Sequence, residues 1–159
     1  MIKEIISDNE LFDSVNVITQ SFRTVADEFN LTKNNCPTHP SFITHDNLLE
    51  LKNKGLLFFG LFINNTQIGF IAIEKANDDL FYIEKLSILP QHRHKSYGKK
   101  LLAFAVDYIK KLNGKMISIG IINDHIVLKK WYNTIGFNEI MTKEYDHLPF
   151  TVCLMEKIL

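Results

Sequence analysis

Between Leu86 and Leu102 the chain reads LSILPQHRHKSYGKKLL, an order that leaves few folds open. An apolar, strand-like run ends at Pro90, a basic polar loop follows, and a clean amphipathic helix opens at Gly98. Leu101, Ala105, Tyr108 and Leu112 recur at steps of four and three residues, the period of one helix face. A strand, a loop and a helix N-terminus in that order make an anion site. The first N–H groups of a helix have no internal acceptor, and the helix dipole adds partial positive charge there. Arg93, Lys95, Lys99 and Lys100 crowd the same turn, which suits a ligand with several phosphate charges.

Composition narrows the partners. The 159 residues carry a formal net charge of zero, so the basic loop is local. Nucleic acid needs a broad positive footprint and is disfavoured. One domain of this length buries a full hydrophobic core. Cys36 and Cys153 are far apart and form no disulfide framework; with no signal peptide at the N-terminus, they fit a reduced cytoplasmic protein. No apolar run approaches the length of a membrane span.

Periodicity organises the rest. Ile2 to Ile6 reads as a strand, and Asp8 as the cap of a helix that carries Leu11, Val15 and Ile18 and reaches Phe29. Leu31 to Phe42, with two prolines, reads as a loop. Thr44 or Asp46 caps a short helix that stops at Gly55. Three strands follow, Leu56–Ile63, Gln67–Glu74 and Leu80–Leu89, joined by turns at Asn64-Asn65 and Asn77–Asp79. These are hairpin signals, so this part is antiparallel. After the helix from Gly98 to Leu112 come a strand, Met116–Ile122, a short helix ending near Thr134, and closing strands over Phe137–Lys143 and Phe150–Met155. The helix at Gly98 should cross over between two parallel strands. The expected architecture is one α/β (α+β) domain over residues 1–159. Its sheet is mixed, mostly antiparallel and about seven strands wide, with flanking helices.

Two blocks within this frame resemble the GNAT superfamily of acyl-CoA-dependent N-acetyltransferases. In the first, Pro90, Arg93 and Gly98 hold three landmarks of the family pattern, while Ser96 stands where the family usually has its first Gly. The second, LKKWYNTIGF from Leu128 to Phe137, looks like the family helix that ends in Tyr-x-x-x-Gly-Phe. The likeness runs from about Leu56 to Phe137 and fades towards both termini.

The resemblance implies acetyl-CoA as cosubstrate and no metal. Consecutive backbone N–H groups of His94, Lys95, Ser96, Tyr97, Gly98 and Lys99 would hold the pyrophosphate, with Arg93 in the same turn. Backbone groups of Leu86, Ser87 and Ile88 would pair with the pantetheine arm. Tyr132 occupies the position of the phenol that reaches the sulfur, although Tyr132 and Trp131 equally suit the packed face of a helix. Many relatives carry an Asn seven residues before the Tyr; here that place is His125, and Asn123 is the nearest Asn. A Ser at position 96 is costly only if its backbone takes φ > 0.

Glu84 has two readings. It is a strand-edge carboxylate paired with a neighbouring lysine, or a general base whose pKa burial raises towards neutrality. Alternation puts it on one face with Tyr82 and Leu86. His92 with His94, and Cys36 with His39, have ligand-like gaps but no second pair at finger spacing. His147 is either a turn residue or part of an acceptor pocket.

The reading is N-acetyl transfer to a primary amine on a small molecule or peptide by direct attack, without an acyl-enzyme. The acceptor cleft would be built from Phe22–Phe42 and Tyr145–Phe150, and the family often forms homodimers. A CoA-binding or regulatory module of the same fold is the alternative. A P-loop or Rossmann enzyme is disfavoured, because both glycine fingerprints are missing.

Overall fold

A computed structural model describes residues 1–159. Strand β1 (Ile2–Glu4) ends two residues earlier than expected, because the chain turns into a helix cap. Ser7, rather than Asp8, caps α1 (Asp8–Glu28). Its Oγ accepts from Glu10 N at 3.3 Å while Glu10 Oε1 accepts from Ser7 N at 3.1 Å, a reciprocal capping box. The helix then runs unbroken for 21 residues. A 3₁₀ turn (Pro40–Phe42) precedes α2 (His45–Asn53), which Thr44 caps through Asn47.

Next come β2 (Leu57–Ile63), β3 (Thr66–Lys75) and β4 (Leu80–Ile88). Asn64 and Asn65 both have positive φ, 49° and 63°, as a two-residue hairpin turn demands. Asn77 Oδ1 accepts from the N–H groups of Asp79 and Leu80, each at 2.9 Å, and so fixes the second turn. After a 3₁₀ turn (Pro90–His92), α3 spans Tyr97–Lys111, and Gly98 is its second residue instead of its first. The chain closes with β5 (Met116–Ile122), α4 (Ile126–Thr134), β6 (Asn138–Lys143) and β7 (Val152–Ile158). The last strand lies two to three residues beyond its expected bounds.

The seven-stranded sheet has the order β1-β2-β3-β4-β5-β7-β6. Every pairing is antiparallel except β4 with β5, which α3 connects as a crossover. Helices α1 and α3 both pack on β3 and β4, so they cover opposite faces. On the α3 side Phe59 meets Phe104 and Tyr108, with ring centroids 4.9 and 5.0 Å apart. One large cluster around Phe58, Phe70, Phe81 and Phe137 forms the core. No helix is long and apolar enough to cross a membrane.

Two irregularities in β4 shape everything that follows. Ala72 pairs with Glu84, and Phe70 with Ser87, so two residues of β4, Lys85 and Leu86, face one of β3, Ile71. Lys85 takes up the extra residue with φ +55°, which makes a β-bulge. Paired residues share a face, so Ser87 joins Glu84 where alternation predicted Leu86. Beyond the bulge β4 bends away from β5. The parallel ladder consists only of Leu80–Met116, Phe81–Ile117 and Tyr82–Ser118.

Candidate active site

Past Tyr82 and Ser118 the two strands diverge into a V. One wall is Ile83–Ile88 of β4 and the other is Ile119–Ile122 of β5, around a cleft of about 1110 Å³. Each strand keeps its outer ladder, β5 to β7 as far as Ile122–Val152 and β4 to β3 as far as Ile88–Gly69, so each turns an unpaired backbone edge to the cleft. Inside the bulge, buried Ser87 donates its hydroxyl to Lys85 O at 2.8 Å.

The mouth of the V is the loop before α3. None of the six consecutive N–H groups from His94 to Lys99 has a backbone or side-chain acceptor in the protein; the next amide, Lys100, returns to Ser96 O at 3.0 Å. His94 (φ +61°) and Ser96 (φ +63°) are left-handed on either side of Lys95, which turns successive amides into one concavity. All of this loop except Lys95 lines the cleft. Ser96 therefore stands in the strained conformation, and its hydroxyl makes no cap to α3. Trp131 of α4 covers Gly98, where an added Cβ would lie 3.6 Å from the indole.

Arg93 is turned away from the loop amides. Its guanidinium donates to Ser21 O at 2.7 Å, Thr24 Oγ1 at 3.0 Å and Ile88 O at 3.3 Å. Burial lowers its pKa. It is thus a positioning residue that ties the loop and the end of β4 to α1.

Tyr132 reaches the cleft from α4 and is only 6% exposed. Its ring meets Trp131 and Phe137 edge-on, at 4.9 and 5.4 Å. Burial pushes the phenol above its ordinary pKa, so it stays protonated at any physiological pH. Ring packing and a retained phenol proton coincide in this one side chain.

Glu84 forms the lysine pair expected of a strand-edge carboxylate. Its carboxylate lies 3.4 Å from Lys85 Nζ, and the residue lines the cleft near the apex of the V. Sequence reasoning missed its neighbour Glu74, which pairs with Tyr82 and so lies diagonally beside Glu84 on the same face. A hydrogen bond with the Glu84 side chain, then burial, raises the Glu74 pKa. The signal for Glu74 was a carboxylate closing an apolar strand at hairpin register with the next one.

Asn123 does not line the cleft. Its Oδ1 accepts from Lys129 Nζ at 2.7 Å, because that lysine lies one turn along α4 and is itself paired with Glu139 at 3.1 Å. His125 takes the cleft position and caps α4 by accepting from Leu128 N at 3.3 Å. His147 is exposed against Tyr145 and lies outside the cleft, whereas Leu148 and Phe150 of the same loop line it.

At the α1 end, Phe22, Val25, Glu28 and His39 complete the wall. His39 is buried, and burial lowers its pKa to about 4. Its Nδ1 accepts from Ser41 N at 3.3 Å and lies 2.7 Å from Ser41 Oγ. The neutral ring therefore carries its proton on Nε2. Cys36 is packed among Ala26, Leu31 and Ile122, and burial raises its thiol pKa. No group of three His, Cys, Asp or Glu side chains is placed to hold a metal ion.

Comparison with known proteins places this geometry. No curated protein matches the chain. The fold is shared along its full length with solved structures. PaiA N-acetyltransferase from Thermoplasma acidophilum, in complex with coenzyme A, is 21% identical over 100% of this chain and 99% of its own, with a TM-score of 0.76. An acetyltransferase from Streptococcus agalactiae is 17% identical over 100% and 98%, with a TM-score of 0.77. The ribosomal-protein-S18-alanine N-acetyltransferase from Escherichia coli is 13% identical over 99% and 92%, with a TM-score of 0.75. The family model described as Acetyltransferase (GNAT) family matches residues 22–137, a span that takes in the splayed strands, the amide loop and Tyr132. The chain therefore belongs to the GNAT acetyltransferase family.

Proposed function

We propose that this protein transfers the acetyl group of acetyl-CoA to a primary amine on a small molecule or peptide, by direct attack. The observation that carries the reading is the run of six unpaired amides, His94 to Lys99, at the open end of two diverging parallel strands. Those amides and the α3 dipole suit a pyrophosphate, and Lys99 adds charge beside them. The free edge of β4 at Leu86, Ser87 and Ile88 suits an amide-bearing arm that pairs as a strand would. Bound there, acetyl-CoA supplies an activated thioester carbonyl.

The protein's own groups divide the remaining work. Backbone N–H groups of the β4 edge stand where an oxyanion needs donors. Glu84 accepts a proton from the ammonium, directly or through water, and Glu74 backs it with a second carboxyl. Tyr132 holds a proton for the departing sulfur. Holding both reactants in one cleft contributes much of the acceleration by proximity.

Thiol release with a panel of amines tests the activity. Tyr132→Phe keeps the ring packing and deletes the proton; turnover should fall roughly 10²-fold or more, with acetyl-CoA affinity nearly unchanged by calorimetry. Wild-type turnover by that variant removes Tyr132 as the acid. Tight acetyl-CoA binding with no release for any amine would make this a CoA-binding module instead.

A further inference from the structure

The end of the cleft beyond the reacting centre has a chemistry of its own. Val25 of α1 and Leu148 and Phe150 of the β6–β7 loop pack on one small cluster, Ala26, Leu31, Cys36 and Ile122, and Phe22 of α1 lines the same cleft; none of the four is fully buried. These side chains come from opposite ends of the sequence. They leave apolar surface wet at a cost of about 25 cal/mol per Å², which an apolar ligand would recover. The carboxylates of the whole cleft are Glu28 and Glu84, set against Lys85, Arg93 and Lys99. Its fixed charge is therefore not negative. Lys85 already stands 3.4 Å from Glu84, and His39, held neutral, adds no charge.

We infer that the acceptor is a monoamine with an apolar body, seated against Phe22, Val25, Leu148 and Phe150 with its amine towards Glu84. The inference rests on acetyl transfer as the reaction and names the substrate class. A polycation such as a polyamine or an aminoglycoside needs several carboxylates to replace its hydration. Glu84 is the one carboxylate that lines the reaction centre, its neighbour Glu74 standing off the cleft wall, and the exposed Glu28 is the other. Apolar monoamines need a single counter-charge and an apolar wall, and both are present.

The experiment has a binding arm and a turnover arm. Wild-type protein saturated with CoA is titrated calorimetrically with 2-phenylethylamine, tryptamine, spermidine and kanamycin, and the same amines are assayed for thiol release with acetyl-CoA. The two apolar amines should bind and react with kcat/KM at least tenfold above the polycations. Leu148→Asp should lower that value about tenfold or more, with acetyl-CoA affinity unchanged. Comparable or better kcat/KM for spermidine or kanamycin overturns the inference and leaves acetyl transfer standing. Binding of the apolar amines without acetylation overturns their role as acceptors, and thiol release from none of the amines overturns acetyl transfer itself. Failure of both apolar amines to bind overturns the inference whatever else the protein acetylates.

Discussion

Ser96 sits at φ +63° where a glycine would rest without strain. A non-glycine residue in the left-handed region costs about 1 kcal/mol, and Ser96 recovers none of it by capping α3. Ser96→Gly should therefore raise stability by about 1 kcal/mol in chemical denaturation, with CoA affinity equal or tighter. A large loss of affinity would show instead that the hydroxyl holds phosphate. The Glu74–Glu84 pair makes a second claim at this scale. Glu74 carries a raised pKa because Glu84 and burial oppose its ionisation. It therefore keeps its proton to higher pH than an unpaired carboxyl would, and the like-charge cost appears only once it ionises. Glu74→Gln removes that second ionisation, so the kcat/KM profile should change only in the pH range where Glu74 loses its proton, with the acid limb below it left in place. Glu84→Gln should depress the rate most at low pH, where free amine is scarce. Identical profiles for wild type and Glu74→Gln would sever Glu74 from the reaction.

The 3₁₀ turn around His39 contributes at the scale of an element. Its folded pKa of about 4 lies below the ordinary 6.5, so between these values the unfolded chain binds more protons than the folded one. Stability from keeping His39 neutral is fully present above pH 6.5 and is lost as pH falls towards 4. His39→Gln should flatten the stability profile across that window in urea titrations, and an unchanged slope there would refute it. Elements also differ in how far the sequence announces them. The Asn64-Asn65 hairpin and the helix N-terminus after the basic loop were legible, because turn chemistry and strand-loop-helix order are written locally, whereas the individual amides His94–Lys99 followed only from the family resemblance. The bulge at Lys85 was not, since no glycine or asparagine marks its positive φ and the cause lies in pairing with β3. Asn123 was misassigned for a similar reason. Its direction is set by Lys129 and Glu139, partners that spacing from Tyr132 does not reveal.

At the scale of the whole molecule, the acceptor end of the cleft was legible as regions but not as residues. Phe22 fits the apolar period of α1 and so reads as core, and only the fold brings it into one cleft with Leu148 and Phe150. Arg93, which the sequence placed in the phosphate turn, instead fastens that turn to α1 through Ser21 and Thr24. The amide loop and the Phe22–Val25 wall thus share one support. The two ligands should in consequence feel each other at equilibrium, each tightening the other by the same factor, as linkage requires. Titrating CoA with and without a bound amine, and the amine with and without CoA, should return equal ratios in the wild type. Arg93→Met keeps much of the side-chain bulk and drops the three donated bonds. It should bring that ratio close to one, so that two cooperating sites become two independent ones.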